Sequence, residues 1–107
     1  MKAANLFSDI PAAIADEIFE PLLQTSSLKL ERIVSAERTT PRDEWYDQQR
    51  DEWVILLSGS AALLFEGESE PLVLSPGDYV HIAAHRRHRV EWTEEKSVWL
   101  ALHYSND

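Results

Sequence analysis

Residues 28–34, LKLERIV, place Leu28, Leu30 and Val34 on one side of an extended chain and Lys29 and Glu31 on the other. That two-residue period predicts a strand with one covered face, although Arg32 and Ile33 interrupt it. The preceding segment, EIFEPLLQ (17–24), reads two ways. Ile14, Ile18, Phe19 and Leu22 would line one side of a helix, but Pro21 lacks the amide that a helix interior needs. Residues 17–24 are therefore predicted as a strand, with a turn or short helix over 11–16.

Beyond a polar stretch (35–51), two apolar runs, EWVILL and AALLF, flank Ser58-Gly59-Ser60. This predicts an antiparallel hairpin pairing 52–57 with 61–65. The first run is apolar on both faces, since Val54 and Leu56 share one with Glu52, and Trp53, Ile55 and Leu57 share the other. Such a strand is expected to be covered on both sides. Glu52 then enters a buried strand as a carboxylate in need of a metal, an arginine or backbone donors. PLVL, YVHIA, HRVEWT (88–93) and VWLALHY (98–104) add further short strands. About seven or eight of them, with no long helix, predict an all-β sandwich or barrel. Val54, Leu56, Leu63, Val80, Ile82, Val90 and Leu100 are its expected core.

With 107 residues the chain holds one core. The expected organisation is a single domain over 1–107, with N-terminal strands over about 17–34 and a barrel over about 35–104. A formal net charge of −9 sets the surface against nucleic acid and anionic membranes, so neither is an expected partner. The absence of cysteine removes disulfides, thiolate metal sites and a cysteine nucleophile. No apolar run approaches the roughly 20 residues of a membrane helix. Asp9 and Pro11 interrupt the N-terminus where a secretory leader would be apolar, and a cytoplasmic protein is expected. Phosphate-binding glycine loops and a nucleophile elbow are absent from the sequence.

Against this acidic background, residues 85–89 read His-Arg-Arg-His-Arg, after the turn Pro76-Gly77-Asp78 and the short strand YVHI. A glutamate opening a strand, a glycine seven residues on, then Pro-Gly-Asp, a strand and a histidine resemble the cupin superfamily. The pieces EWYDQ, DEWV, PGDY, HRRHRVEWT and WLALHY extend the resemblance, to small single-domain bacterial cupins, over about 30–104. The resemblance implies an all-β double-stranded β-helix, a jelly-roll barrel. Glu52 and Gly59 keep the Glu-x6-Gly spacing of the first cupin motif, and Gly77 and His88 keep the Gly-to-His spacing of the second. In metal-binding cupins two histidines of the first motif, its glutamate and the second-motif histidine hold the ion. Only Glu52 and His88 match; the histidine pair falls on Trp45 and Asp47, or on Tyr46 and Gln48.

Several readings of this mouth stay open. Glu52 and His88, joined by Asp47 and His85, would make a mixed oxygen and nitrogen set for Zn²⁺, Mn²⁺, Fe²⁺ or Ni²⁺, with His81 a further candidate. Without a metal, His88 would hydrogen-bond Glu52 in the same cavity. Arg86, Arg87 and Arg89 would either hold an anion, with Arg87 as its clamp, or pair with the acids of 43–52. Trp45, Tyr46 and Trp92 would wall a ligand pocket or plug the barrel. His103 carries the weakest signal of the four histidines.

The expected function is a small-molecule-binding cupin, in one form a divalent-metal-dependent enzyme acting on a polar or acidic metabolite. The alternative is a non-catalytic module, a ligand sensor or structural partner, with a degenerate metal site. Apolar surface over 17–34 predicts a homodimer.

Overall fold

A computed structural model describes residues 1–36 and 44–105. Eight strands build it: β1 (Ile18–Gln24), β2 (Leu28–Val34), β3 (Asp51–Ser58), β4 (Ala61–Phe65), β5 (Leu72–Leu74), β6 (Tyr79–Ile82), β7 (His88–Thr93) and β8 (Val98–Tyr104). Among the described residues no helix forms, and 11–16 is a succession of bends. The ambiguous segment 17–24 is a strand, and Pro21 explains where it can lie. A residue without an amide proton is tolerated on a sheet edge, and β1 is an edge strand whose pairing with β2 shifts register between Pro21 and Leu23. The Thr25–Ser27 turn joins the two strands, with Thr25 Oγ1 accepting the Ser27 and Leu28 amides, each at 3.2 Å.

The strands form two antiparallel sheets, ordered β1-β2-β8-β3-β6 and β5-β4-β7, in a jelly-roll arrangement. The hairpin predicted at 58–60 is not there. β3 and β4 lie in different sheets, because β8 and β6 already occupy both edges of β3. The segment 58–60 instead carries the chain from one sheet to the other, and β4 pairs with β5 and β7.

Between the sheets lies the core: Val54 and Leu56 of β3, Ala61, Leu63 and Phe65 of β4, Leu74, Ile82, Trp99 and Ala101. Val80 and Val90 are half-buried against it. Leu100 is half-buried but turned away, since the inward positions of β8 fall to its neighbours Trp99 and Ala101. The outer face of β3 is half-buried rather than sealed, with the Trp53 ring tilted against Tyr79 at 5.4 Å between centroids. A second, smaller cluster packs Ile14 of the N-terminal segment on Val34 and Ala36. The buried Arg32 ties that segment down, its Nη1 donating to the Ser8 carbonyl at 2.6 Å and the Leu6 carbonyl at 3.1 Å. Among the described residues no helix is long and apolar enough to cross a membrane.

Candidate functional site

Strand parity decides which polar side chains enter the barrel. On β3, Glu52 shares the inward face with Val54 and Leu56, and all three are buried. On β8 the inward face of Trp99 and Ala101 continues to His103, which stands directly opposite Glu52 in the ladder. On β2, Glu31 pairs with Ala101 and is therefore the diagonal neighbour of His103. His88 opens β7, with Val90 following it inward, and the intervening Arg89 is turned outward.

The segment before β3 is drawn over this end of the barrel by backbone pairing. The Tyr46 amide donates to the His88 carbonyl at 2.7 Å, the His88 amide returns a bond at 3.2 Å, and the His85 amide donates to the Gln48 carbonyl at 2.8 Å. Tyr46 and Gln48 thereby join the lining.

The result is a cavity of about 150 Å³. Its depth is apolar, lined by Ile33, Val54, Leu63, Ile82, Val90 and Trp99. Glu52, Gln48, His88 and His103 come from the end where β3 and β7 begin and β8 finishes, with Glu31 beside them; Ser35 and Glu17 line the cavity towards the other end, and the exposed Phe19 also borders it.

Glu52 and Glu31 are 7% and 4% exposed, so each carboxylate needs partners. Glu31 has them: His103 Nε2 at 3.0 Å and Lys29 Nζ at 3.4 Å. Glu52 receives a hydrogen bond from Gln48, and burial pushes its carboxyl above the usual carboxylate range. Nearby His103 and His88 oppose that shift, and Glu31 reinforces it. The His88 ring packs between Tyr46 and Phe65, at 5.8 and 5.9 Å between centroids, with Nδ1 2.9 Å from the Arg86 carbonyl. A carbonyl only accepts, so Nδ1 carries the proton, and Nε2 is an acceptor in the neutral ring.

Of the residues singled out by sequence, Glu52, His88 and Tyr46 meet at this cavity. Asp47 and His85 do not line it; they pair with each other on the surface at 2.7 Å. Trp45 lies beneath the Arg89 guanidinium, 4.6 Å from its ring centroid, and Trp92 is exposed on β7. Arg87 pairs with Glu66 at 2.8 Å in the open. Arg86 bonds Glu68 at 2.9 Å and the Glu66 carbonyl at 2.8 Å, and Arg89 bonds Glu91 at 3.2 Å. Among the described residues the arginines thus pair with the β4–β5 turn and β7, and Asp47, Asp51 and Glu52 of the acids expected to meet them have other partners. Asp51 accepts the Ala84 amide at 2.8 Å and approaches His81 at 3.5 Å, and Asp43 lies outside the described residues.

Two lining residues escaped sequence reasoning, Glu31 and His103. The alternation sets Glu31 on the face of β2 opposite Leu28, Leu30 and Val34, and that face meets the cavity. The available signal was parity: His103 falls in step with Trp99 and Ala101, and Glu31 in step with Ile33.

The donor set does not fit a metal ion. Among the described residues no three His, Asp or Glu side chains converge in metal-holding geometry. Glu31 and His103 are already committed to each other.

A family model described as a cupin domain matches residues 33–103. Among solved structures, a protein from Ralstonia eutropha JMP134, provisionally named a mannose-6-phosphate isomerase, shares 50% identity over 98% of this chain and 99% of its own, with a TM-score of 0.93. A cupin superfamily protein from Desulfitobacterium hafniense DCB-2 shares 17% identity over 91% of this chain and 84% of its own, with a TM-score of 0.74. KdgF from Halomonas sp. shares 18% over 88% and 84%, with a TM-score of 0.71. The latter two show likeness of fold alone. No curated protein matches the chain.

Proposed function

The chain belongs to the cupin family, and from that premise we propose that it binds a small polar molecule in the cavity between its sheets. One observation carries the reading: an apolar-walled cavity into which Glu31, Glu52, Gln48, His88 and His103 bring polar groups, the form of a small-molecule site. At about 150 Å³ it lies below the roughly 300–1,000 Å³ of pockets for drug-sized ligands. It would enclose a small ligand, or the head of a longer one that passes Phe19 and Tyr46. A divalent metal is not part of the reading, because among the described residues no three donors converge on one point.

The test is ligand-observed NMR with small neutral, cationic and anionic metabolites, together with metal analysis after dialysis. At least one class should bind wild type and be lost in His88→Ala that is still folded by circular dichroism, with metal well below one ion per chain. A stoichiometric ion that survives dialysis and disappears in Glu52→Gln would overturn the metal-free reading.

A second reading follows from the Ralstonia protein's provisional name. Isomerisation of a sugar needs an acid and a base facing one carbon skeleton, and Glu52 and His88 border the same space. Among the described residues no lysine or arginine lines the cavity to meet a phosphate, which favours the proton transfer over the phosphorylated substrate. Turnover of mannose 6-phosphate, followed by NMR, separates this reading from simple binding.

We also propose that two copies associate through β1. Among the described strands this one is a sheet edge, and Phe19, Leu22 and Leu23 are exposed on it. Sedimentation at roughly tens of micromolar should give a dimer, and Leu23→Lys a monomer. A wild-type monomer at that concentration would end the proposal.

A further inference from the structure

Among the described residues the polar lining of the cavity holds more acceptors than donors. Three carboxylates border it, Glu17, Glu31 and Glu52, and none of the described lining residues is a lysine or arginine, although Lys29 reaches Glu31 at 3.4 Å from outside the lining. The titratable neighbours that act on Glu52 are His103, His88 and Glu31, and none of these is a fixed cation. Neither histidine adds a donor easily. His88 spends its Nδ1 proton on the Arg86 carbonyl, and His103 directs Nε2 to Glu31, so the second nitrogen of each ring is an acceptor in the neutral form.

An independent observation points the same way. Gln48 Oε1, buried at the lining, has no hydrogen-bond partner. A buried amide oxygen left unpaired is costly, and a donor from a bound molecule would satisfy it. The remaining walls include Phe19, Tyr46 and Trp99, whose rings suit a cation more than an anion.

We propose that the ligand of this site is a small organic ammonium compound bearing further hydroxyl donors. The assignment rests on the preceding reading of the cavity as a small-molecule site and gives that molecule a charge. The ammonium group would sit against Glu52 and donate to Gln48 Oε1, and hydroxyls would reach the imidazole acceptors. A metal ion demands converging ligands, whereas an ammonium with three donors accepts the spread arrangement seen here. The arginines that would have favoured an anion are held by Glu66, Glu68 and Glu91.

Two matched sets of probes test this on the wild-type protein at neutral pH: propylammonium, 1-propanol and propionate, then mannosamine, mannose and mannose 6-phosphate. Binding is read from the Trp99 indole and His88 ring resonances. Propylammonium and mannosamine should bind about tenfold or more tightly than their neutral counterparts, the scale of one charge-assisted hydrogen bond, and the anions should not bind. Glu52→Gln should erase the preference for ammonium, bringing each amine to within about twofold of its neutral counterpart in the same variant. If propionate or mannose 6-phosphate binds more tightly than the amines, or the amines gain nothing over the alcohols, the charge assignment is wrong and the small-molecule reading stands. If none of the six probes perturbs the cavity resonances, both readings fall together.

Discussion

Gly59→Ala should be the most damaging single methyl that can be added to this protein. Gly59 makes the crossing between sheets with φ at +87°, a conformation that costs an alanine about 1–3 kcal/mol. The new Cβ would also overlap Ser97 Oγ and lie 2.8 Å from Ser97 Cα. Ser97 cannot retreat. It is fully buried, its carbonyl accepts the Ser35 amide at 2.9 Å, and β8 begins at the next residue. Its hydroxyl accepts the Ser60 amide and donates to the Ser60 carbonyl, both at 3.2 Å, so the methyl displaces the clasp that holds the crossing.

Overpacking adds about 1–3 kcal/mol and each stranded polar group a similar amount. The total, about 4 kcal/mol or more, is a large part of the roughly 5–15 kcal/mol that holds a domain of this size. Gly77→Ala is the control. Its φ is +94° but nothing lies within 4 Å of the added carbon, so the backbone cost stands alone. Urea unfolding followed by tryptophan fluorescence should place the Gly59 variant far below the Gly77 variant. Equal midpoints would mean that the crossing is not fixed by Ser97.

The same crossing marks the limit of what the sequence discloses about this fold. The apolar runs on either side of Gly59 announce two strands, and two strands form, within a residue of their expected bounds. Whether they pair depends on which edges are free, and β3 loses both edges to β6 and β8, whose sequences lie far downstream. No local pattern carries that information. For the site, the motif spacing was enough to place Glu52 and His88 at one cavity. Parity at one residue then separated the rest: His88 and Val90 enter, and Arg89 between them turns out, which takes the basic run away from the site. Glu31 was hidden for a different reason. Alternation on β2 reads identically whether the polar face meets bulk water or a cavity, and only the second sheet distinguishes the two.

Glu52→Gln should stabilise the protein at neutral and mildly alkaline pH while weakening its binding of ammonium compounds. Burial holds the Glu52 carboxyl above its ordinary range, and the groups that face it from β2, β7 and β8 are Glu31, His88 and His103, with Gln48 donating to it. A carboxyl raised in the folded state binds its proton more tightly there than in the unfolded chain. Folded molecules thus carry more protons through the window that opens near 4.5 and closes above the raised folded value. Stability from this group is present below the window and is lost as pH rises through it.

A glutamine has no proton to lose, so wild type and variant should agree near pH 4 and separate progressively towards about pH 8, with the variant the more stable. The new amide also offers a donor to Gln48 Oε1, which lacks one in the native protein. Urea midpoints across that range measure the difference directly, and taking it variant against wild type cancels the other carboxylates. A variant less stable than wild type at pH 8 would mean that attraction from the two histidines outweighs burial, and that Glu52 is held as an ion by its neighbours. The expected sign makes Glu52 a residue that the fold alone would not choose. A carboxylate kept at a net cost, beside an unpaired acceptor and in a cavity that no described lysine or arginine lines, is what the proposed ammonium ligand would offset.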